Sequence, residues 1–160
     1  MATNKIDKST TYRFRPDMFT LIVTSIVLLI LITIAGVTFV NETNAFFCVM
    51  TIITIIVALT ISQCFVSISI GEGFVKINKV YGSVLIDDIE DITIINKKEV
   101  TMSIRKFGNG GFMGFWGNFY SFKLGNFIVW AINLNQLVLI KTKDGRKIIT
   151  NYPYELLENK

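Results

Sequence analysis

Apolar and polar positions follow two different patterns along this chain. Between Met18 and Cys64 they form two long uncharged runs, Met18–Val40 and Ala45–Cys64, separated only by Asn41-Glu42-Thr43-Asn44. The first run has 23 residues, of which 15 are Leu, Ile, Val or Phe. As a helix it is roughly 34 Å long, enough to cross a hydrocarbon core of about 30 Å. At about −0.4 kcal/mol for each large apolar residue, it favours the bilayer by about 6 kcal/mol before its Thr, Ser and Gly are subtracted. It is apolar all round, so it is not a surface amphipathic helix. Thr20, Thr24, Ser25 and Thr33 can bond back to the helix backbone. Ser25, Ala35 and Gly36 allow close approach of another helix. The second run has ten large apolar residues in 20 and carries Thr51, Thr54, Thr60, Ser62 and Gln63. Thr51 and Thr54 are candidates for bonds across helices. Its β-branched residues favour strand in water, whereas lipid demands that backbone groups be satisfied within the segment. The pattern predicts a transmembrane helical hairpin at 18–64, with spans 18–40 and 45–64 and a tight reversal between them. The alternative is one buried core helix followed by a strand in a soluble protein.

After Cys64 the period changes to two. Val66, Ile68 and Ile70 alternate with Ser67 and Ser69, which predicts a strand over Phe65–Ile70. Gly71-Glu72-Gly73 is a turn, and Phe74–Asn78 pairs back. Further strands are predicted at Ser83–Ile86, Ile92–Asn96, Val100–Lys106, Phe127–Asn133, Asn135–Thr142 and Arg146–Thr150. The last two flank Asp144-Gly145, the strongest hairpin signal in the chain. Pro153 suits the start of a short helix over Tyr152–Lys160. Residues 107–126 stand apart, because six glycines interleave with seven aromatic residues. Such glycine content forbids a helix and weakens a strand, while the aromatics indicate packing. About seven short antiparallel strands predict a barrel or bent sandwich.

Composition and charge sharpen this picture. The chain is 160 residues long with 51% hydrophobic content, which fits one small domain plus a membrane hairpin. The net charge of +4 is unevenly placed. Lys5, Lys8, Arg13 and Arg15 precede the first run, and Glu42 is the only charge between the runs. The positive-inside rule then puts both ends in the cytoplasm and residues 41–44 outside. A signal peptide is disfavoured by the length of the first run and by the second that follows it. Asn41-Glu42-Thr43 matches a glycosylation sequon but lies hard against the bilayer. The only cysteines, Cys48 and Cys64, fall in the second run, and there is no His. No disulfide framework or ordinary zinc site is expected, and both thiols read as buried and apolar.

The stretch Arg105-Lys106-Phe107-Gly108-Asn109-Gly110-Gly111, with Gly114-Phe115, Gly117, Phe119, Leu124-Gly125 and Trp130-Ala131, resembles the bacterial pleckstrin-homology-like (PH-like) domain. The resemblance covers roughly residues 65–154. Asp87-Asp88-Ile89 resembles that family's corner into its fourth strand. The implied architecture is a membrane α-helical hairpin plus an all-β domain, a bent antiparallel seven-stranded PH-like barrel with a short C-terminal helix. The organisation becomes 1–17 as cytoplasmic N-terminal segment, 18–64 as hairpin and 65–160 as PH-like domain. Family members often follow paired transmembrane helices. Only eight residues remain after Tyr152, so one barrel end is expected to be thinly covered. The resemblance implies binding or scaffolding and carries no chemistry over.

Candidate sites are few. Gly108–Gly117 lacks the Gly-Lys-Ser/Thr of a phosphate loop. The loop Gly71-Glu72-Gly73 is acidic, with only Lys76 and Lys79 beyond it, so no specific phosphoinositide site is supported. Asp87, Asp88, Glu90 and Asp91 have no nucleophile or His beside them and read as a solvated corner. Lys141, Lys143, Arg146 and Lys147 form a basic hairpin tip suited to solubility or to anionic lipid. An excess of three charges in the β domain is too small for nucleic acid. No catalytic, cofactor-binding or metal-ligating residue is assigned, and the protein reads as a non-enzyme. Arg105, Lys106, Phe112, Trp116 and Tyr120 are the candidate membrane or partner contacts: amphipathic rings favour the headgroup level, and the two cations can meet phosphates beside them. Trp116 is expected to face outward and Trp130 to be the buried indole. The expectation is therefore a binding or scaffold module at the cytoplasmic face of the inner membrane, integral to the bilayer, with a protein partner or homo-oligomer left open. The alternative is an accessory subunit of a membrane enzyme or transporter, which needs ionisable residues inside the helices, and neither run contains one.

Overall fold

The computed structural model describes residues 9–41 and 43–158. Lys5, Lys8 and Glu42, which carry part of the orientation argument, and with Glu42 the sequon, lie outside the described residues. Two long helices lie near the start of the chain, α1 at Met18–Asn41 and α2 at Thr43–Ser62. They pack as a hairpin, closed at the far end by Phe39 and Phe46 edge to face at 5.3 Å. Along α1, Thr20, Val23, Thr24, Val27, Leu31, Ala35 and Thr38 are buried or half-buried, a stripe at helical spacing. The rest is outward and apolar, with Leu29 66% and Ile32 68% exposed. Thr24, Thr33, Thr51 and Thr54 donate to carbonyls four residues back. Thr51 and Thr54 thus bond within α2, not across helices. Ser25 and Gly36 face outward, away from α2. Two spans were expected; among the described residues one helix, over Met18–Phe39, is long and apolar enough to cross a membrane, and the described apolar stretch of α2, Phe46–Ser62, is shorter. Cys64 is buried, but Cys48 is exposed on α2, contrary to expectation.

Among the described residues, one strand precedes this hairpin and nine follow it. A four-stranded sheet contains β1 (Thr10–Tyr12), β2 (Phe65–Gly71), β3 (Phe74–Lys79) and β4 (Ser83–Ile86) in that order. β1 lies before α1, where no strand was expected, and adds antiparallel to β2 with Thr11 opposite Ser69. Three residues are too few to show a period in sequence; the open edge of β2 supplies their hydrogen bonds. The second sheet runs β5-β9-β10-β8-β7-β6, from β5 (Ile89–Ile94), β6 (Ile104–Gly111), β7 (Gly114–Ser121), β8 (Gly125–Ala131), β9 (Leu137–Thr142) and β10 (Lys147–Asn151). Short helices α3 (Lys98–Thr101) and α4 (Glu155–Glu158) complete the order.

Three details differ from the expected seven-stranded antiparallel barrel. β10 inserts between β9 and β8 and runs parallel to β8, with Ile148 opposite Ile128. The hairpin turns back at Asp144-Gly145, so its second arm necessarily takes the direction of β8. Val100, placed on a strand from sequence, sits in α3 with its side chain buried. The glycine-aromatic stretch, expected to be irregular, forms the paired strands β6 and β7 and leads into β8.

Alternation on the large sheet divides the core. Val138, Ile140 and Ile148 face the small sheet and pack with Phe65, Ile68, Val75, Ile77 and Ile86. Leu137, Leu139 and Ile149 face the other way, with Phe115, Phe119, Phe127, Val129 and Val100. α4 is described over four residues, and beside it a cleft of about 900 Å³ opens between the β2–β3 turn and β5.

Candidate functional site

The β6–β7 hairpin is built by its glycines. Gly108 and Gly117 sit opposite each other at φ 113° and 125°, backbone angles that an L side chain rarely adopts. A Cβ on Gly108 would strike the Trp116 carbonyl, and one on Gly117 the Phe107 carbonyl. The two backbones therefore approach closely because neither carries a side chain at this point. At the tip, Asn109 folds over the turn: its Nδ2 donates to the carbonyls of Phe112 and Gly114, and its Oδ1 accepts from the Phe112 N–H at 3.2 Å.

The first turns of α1 grip this tip and the adjoining strands. Thr24 Oγ1 accepts from the Met113 N–H at 2.9 Å, and the Phe19 ring stacks on Phe115 at 6.2 Å. Thr20, only 1% exposed, donates through Oγ1 to the Ile132 carbonyl at 3.2 Å. Asp17 caps α1 through Oδ1 on the Thr20 N–H, and its Oδ2 accepts from Leu134 N–H. Burial alone would raise the Asp17 carboxyl, but hydrogen bonds from Thr20 and Leu134 together hold it below its ordinary value of 3.8. Next to it, Asn133 Nδ2 donates to the Arg15 carbonyl at 2.6 Å. Asn151, fully buried, accepts through Oδ1 from Ile132 N–H and donates through Nδ2 to Asn133 Oδ1 and the Asn135 carbonyl. This polar knot fastens the helix to the sheet.

The five residues named from sequence separate into two groups. Trp116 and Phe112 turn toward the helices and, with Phe107, line a groove against Val27, Leu31, Ile53 and Val57. Lys106 and Tyr120 lie further along the hairpin, with Lys106 Nζ 5.3 Å from the Tyr120 ring centroid and donating to Asn126 Oδ1 at 2.6 Å. Arg105 is exposed and folds its guanidinium over Gly110. Phe115 and Phe119 fill the core, whereas Phe107 and Phe122 are 67% and 93% exposed.

Trp116 and Trp130 are cross-strand partners on one face, and both are half-buried. Trp130 is therefore not the core indole expected; Lys79 Nζ lies 6.0 Å from its ring centroid, where it also reaches Gln63 Oε1. Trp116 meets Phe107 edge to face at 6.0 Å, and its Nε1–H is buried with no acceptor among the described residues. Such a donor costs about 1–3 kcal/mol. In the basic tip, Arg146 pairs with Asp144 at 2.5 Å and Lys147 donates to the Leu124 carbonyl, so two of its four cations are engaged. The acidic corner is exposed, and no group of three ligating residues able to hold a metal occurs among the described residues.

Sequence reasoning missed β1, the Asn133–Asn151 pair and the role of Thr20 and Thr24. An Asp just before an apolar run is a capping signal that could have flagged Asp17. Nothing local marks Asn151, whose partners lie about 16–19 residues away.

An apolar helix docked on a two-sheet β domain defines the class: a helix-bearing β module. Residues 66–160, more than half of the chain, match the family described as "Bacterial PH domain", and the chain belongs to that family. Membership supports a binding or scaffolding role. No curated protein and no solved structure matches the chain.

Proposed function

We propose that the protein is a membrane-anchored PH-type binding or scaffold module, held at the cytoplasmic face by α1 and α2, and that it is not an enzyme. One observation carries the reading. Over the most apolar window of α1 only 6% of the residues are buried, yet the first turns of the same helix are built into the β domain. A soluble core helix would bury that surface, and a cleaved signal would remove Thr20 and Thr24 from the bonds they make. Lipid around the outer faces of both helices accounts for the exposure of Leu29, Ile32, Phe39, Ile56 and Leu59. Arg13 and Arg15 before α1 support a cytoplasmic N-terminus, and the helical hairpin returns the chain to the same side. In this placement the β6–β7 hairpin lies at the headgroup level, with Trp116 and Tyr120 as interfacial rings and Lys106 beside them. Alkaline extraction should leave the full chain in the membrane pellet. Reporters fused at residue 160 and within 41–44 should read cytoplasmic and external respectively. A C-terminal reporter active only outside the cell would refute the proposal.

A further inference from the structure

The groove between the helices and the β6–β7 hairpin has a particular chemistry. Its walls include Val27 and Leu31 of α1, Ile53 and Val57 of α2, and Phe107 and Trp116 of the hairpin, and no charged residue lines it. It encloses about 410 Å³, within the range of about 300–1,000 Å³ typical of ligand pockets. A water-soluble ligand would need charged or convergent polar groups here, and an extended peptide would need backbone partners. Both helical walls continue into the outward apolar faces of α1 and α2, whose solvent in a bilayer is acyl chain. Val27 and Ile53 each stand about 14 Å along their helix from the end nearest the β domain, just past the turns of α1 that the domain holds. Trp116 lines the wall, and its buried Nε1–H has no acceptor among the described residues.

We infer that this groove seats one acyl chain of an inner-leaflet phospholipid, with an ester carbonyl of that lipid accepting from Trp116 Nε1–H once the exposed Phe107 ring swings off the indole edge. The inference rests on the membrane-anchored reading. Shape and the absence of charge select the chain; the unmatched indole donor selects an ester-linked lipid over a plain hydrocarbon.

The test uses the full chain in phosphatidylcholine–phosphatidylglycerol vesicles containing a phospholipid with a diazirine on one acyl chain. After irradiation, adducts on Phe107, Trp116 and Ile53 should exceed those on outward-facing Leu29 and Ile32 several-fold. Ile53→Trp, which fills the groove, should abolish the excess, and Leu29→Trp, which adds the same bulk outside, should leave it. Trp116→Phe keeps a ring and loses the donor, and should lower groove labelling several-fold while the fold is unchanged. Equal labelling of groove and outward faces, insensitive to Ile53→Trp, overturns the inference and leaves the anchor standing. Cross-links from the groove to a second copy in place of lipid also overturn it. Unchanged labelling in Trp116→Phe overturns the carbonyl contact. Absence of any adduct on α1 refutes the anchored reading itself.

Discussion

Asn151→Ala removes the centre of the knot that joins the first helix to the sheet. Asn151 is 0% exposed. Its shortest bonds are from Nδ2 to the Asn135 carbonyl at 2.6 Å and to Asn133 Oδ1 at 2.9 Å, and from Ile132 N–H to Oδ1 at 2.8 Å. Three such bonds contribute about 1 kcal/mol each, and an unmatched Ile132 N–H adds about 1–2 kcal/mol. The expected loss is about 4–5 kcal/mol, a fall in Tm of about 10–15 °C for a chain of this size. Asn133 then loses its support, and with it the hydrogen bond to the Arg15 carbonyl. Thermal unfolding of the full chain in mild detergent, followed by circular dichroism, measures the loss. Asn126→Ala is the control, since Asn126 is exposed and holds only Lys106 Nζ; it should change stability by less than about 0.5 kcal/mol. The double variant Asn133→Ala, Asn151→Ala should be less damaging than the two losses added, because the bonds are shared. A fall in Tm below about 4 °C for Asn151→Ala, or strict additivity, would show that the knot does not hold the helix.

Three other variants probe separate links. Gly117→Ala places a methyl at φ 125° against the Phe107 carbonyl and should cost about 2–4 kcal/mol, read from denaturant midpoints. Phe119→Ala should cost about 3–5 kcal/mol, because the ring is buried and stacked on Phe127, whereas Phe122→Ala should be nearly neutral by the same measurement. Asp17 has a folded pKa below the ordinary 3.8, so its contribution is fully present above 3.8 and is lost as pH falls through that value toward the folded one. Tm recorded as pH falls from about 5 through 3.8 and below should therefore fall more steeply in the native protein than in Asp17→Asn.

How much was legible depended on whether the cause was local. The apolar runs were legible because apolar character is carried by each residue separately and needs no fold. The β9–β10 hairpin was legible because Asp144-Gly145 sets its own backbone angles, with Gly145 at φ 83°. The family resemblance came from the spacing of Gly108, Gly117 and their aromatic neighbours, but the same glycines hid the strands they form. Propensity counts a glycine as a loss; two of them facing each other across a ladder become a requirement of close approach, and that pairing exists only once the strands have met. Likewise β1 takes its hydrogen bonds from the edge of β2, and Asn151 is polar and buried because Asn133, Asn135 and Ile132 arrive around it. The exposure of each aromatic was decided by face: Phe115 and Phe119 point into the core, Trp116 toward the helices, Phe122 outward. Composition chose a helical hairpin and a β domain; which surface of one meets which surface of the other was settled by long-range pairing, whose partners carry no signal of each other along the chain.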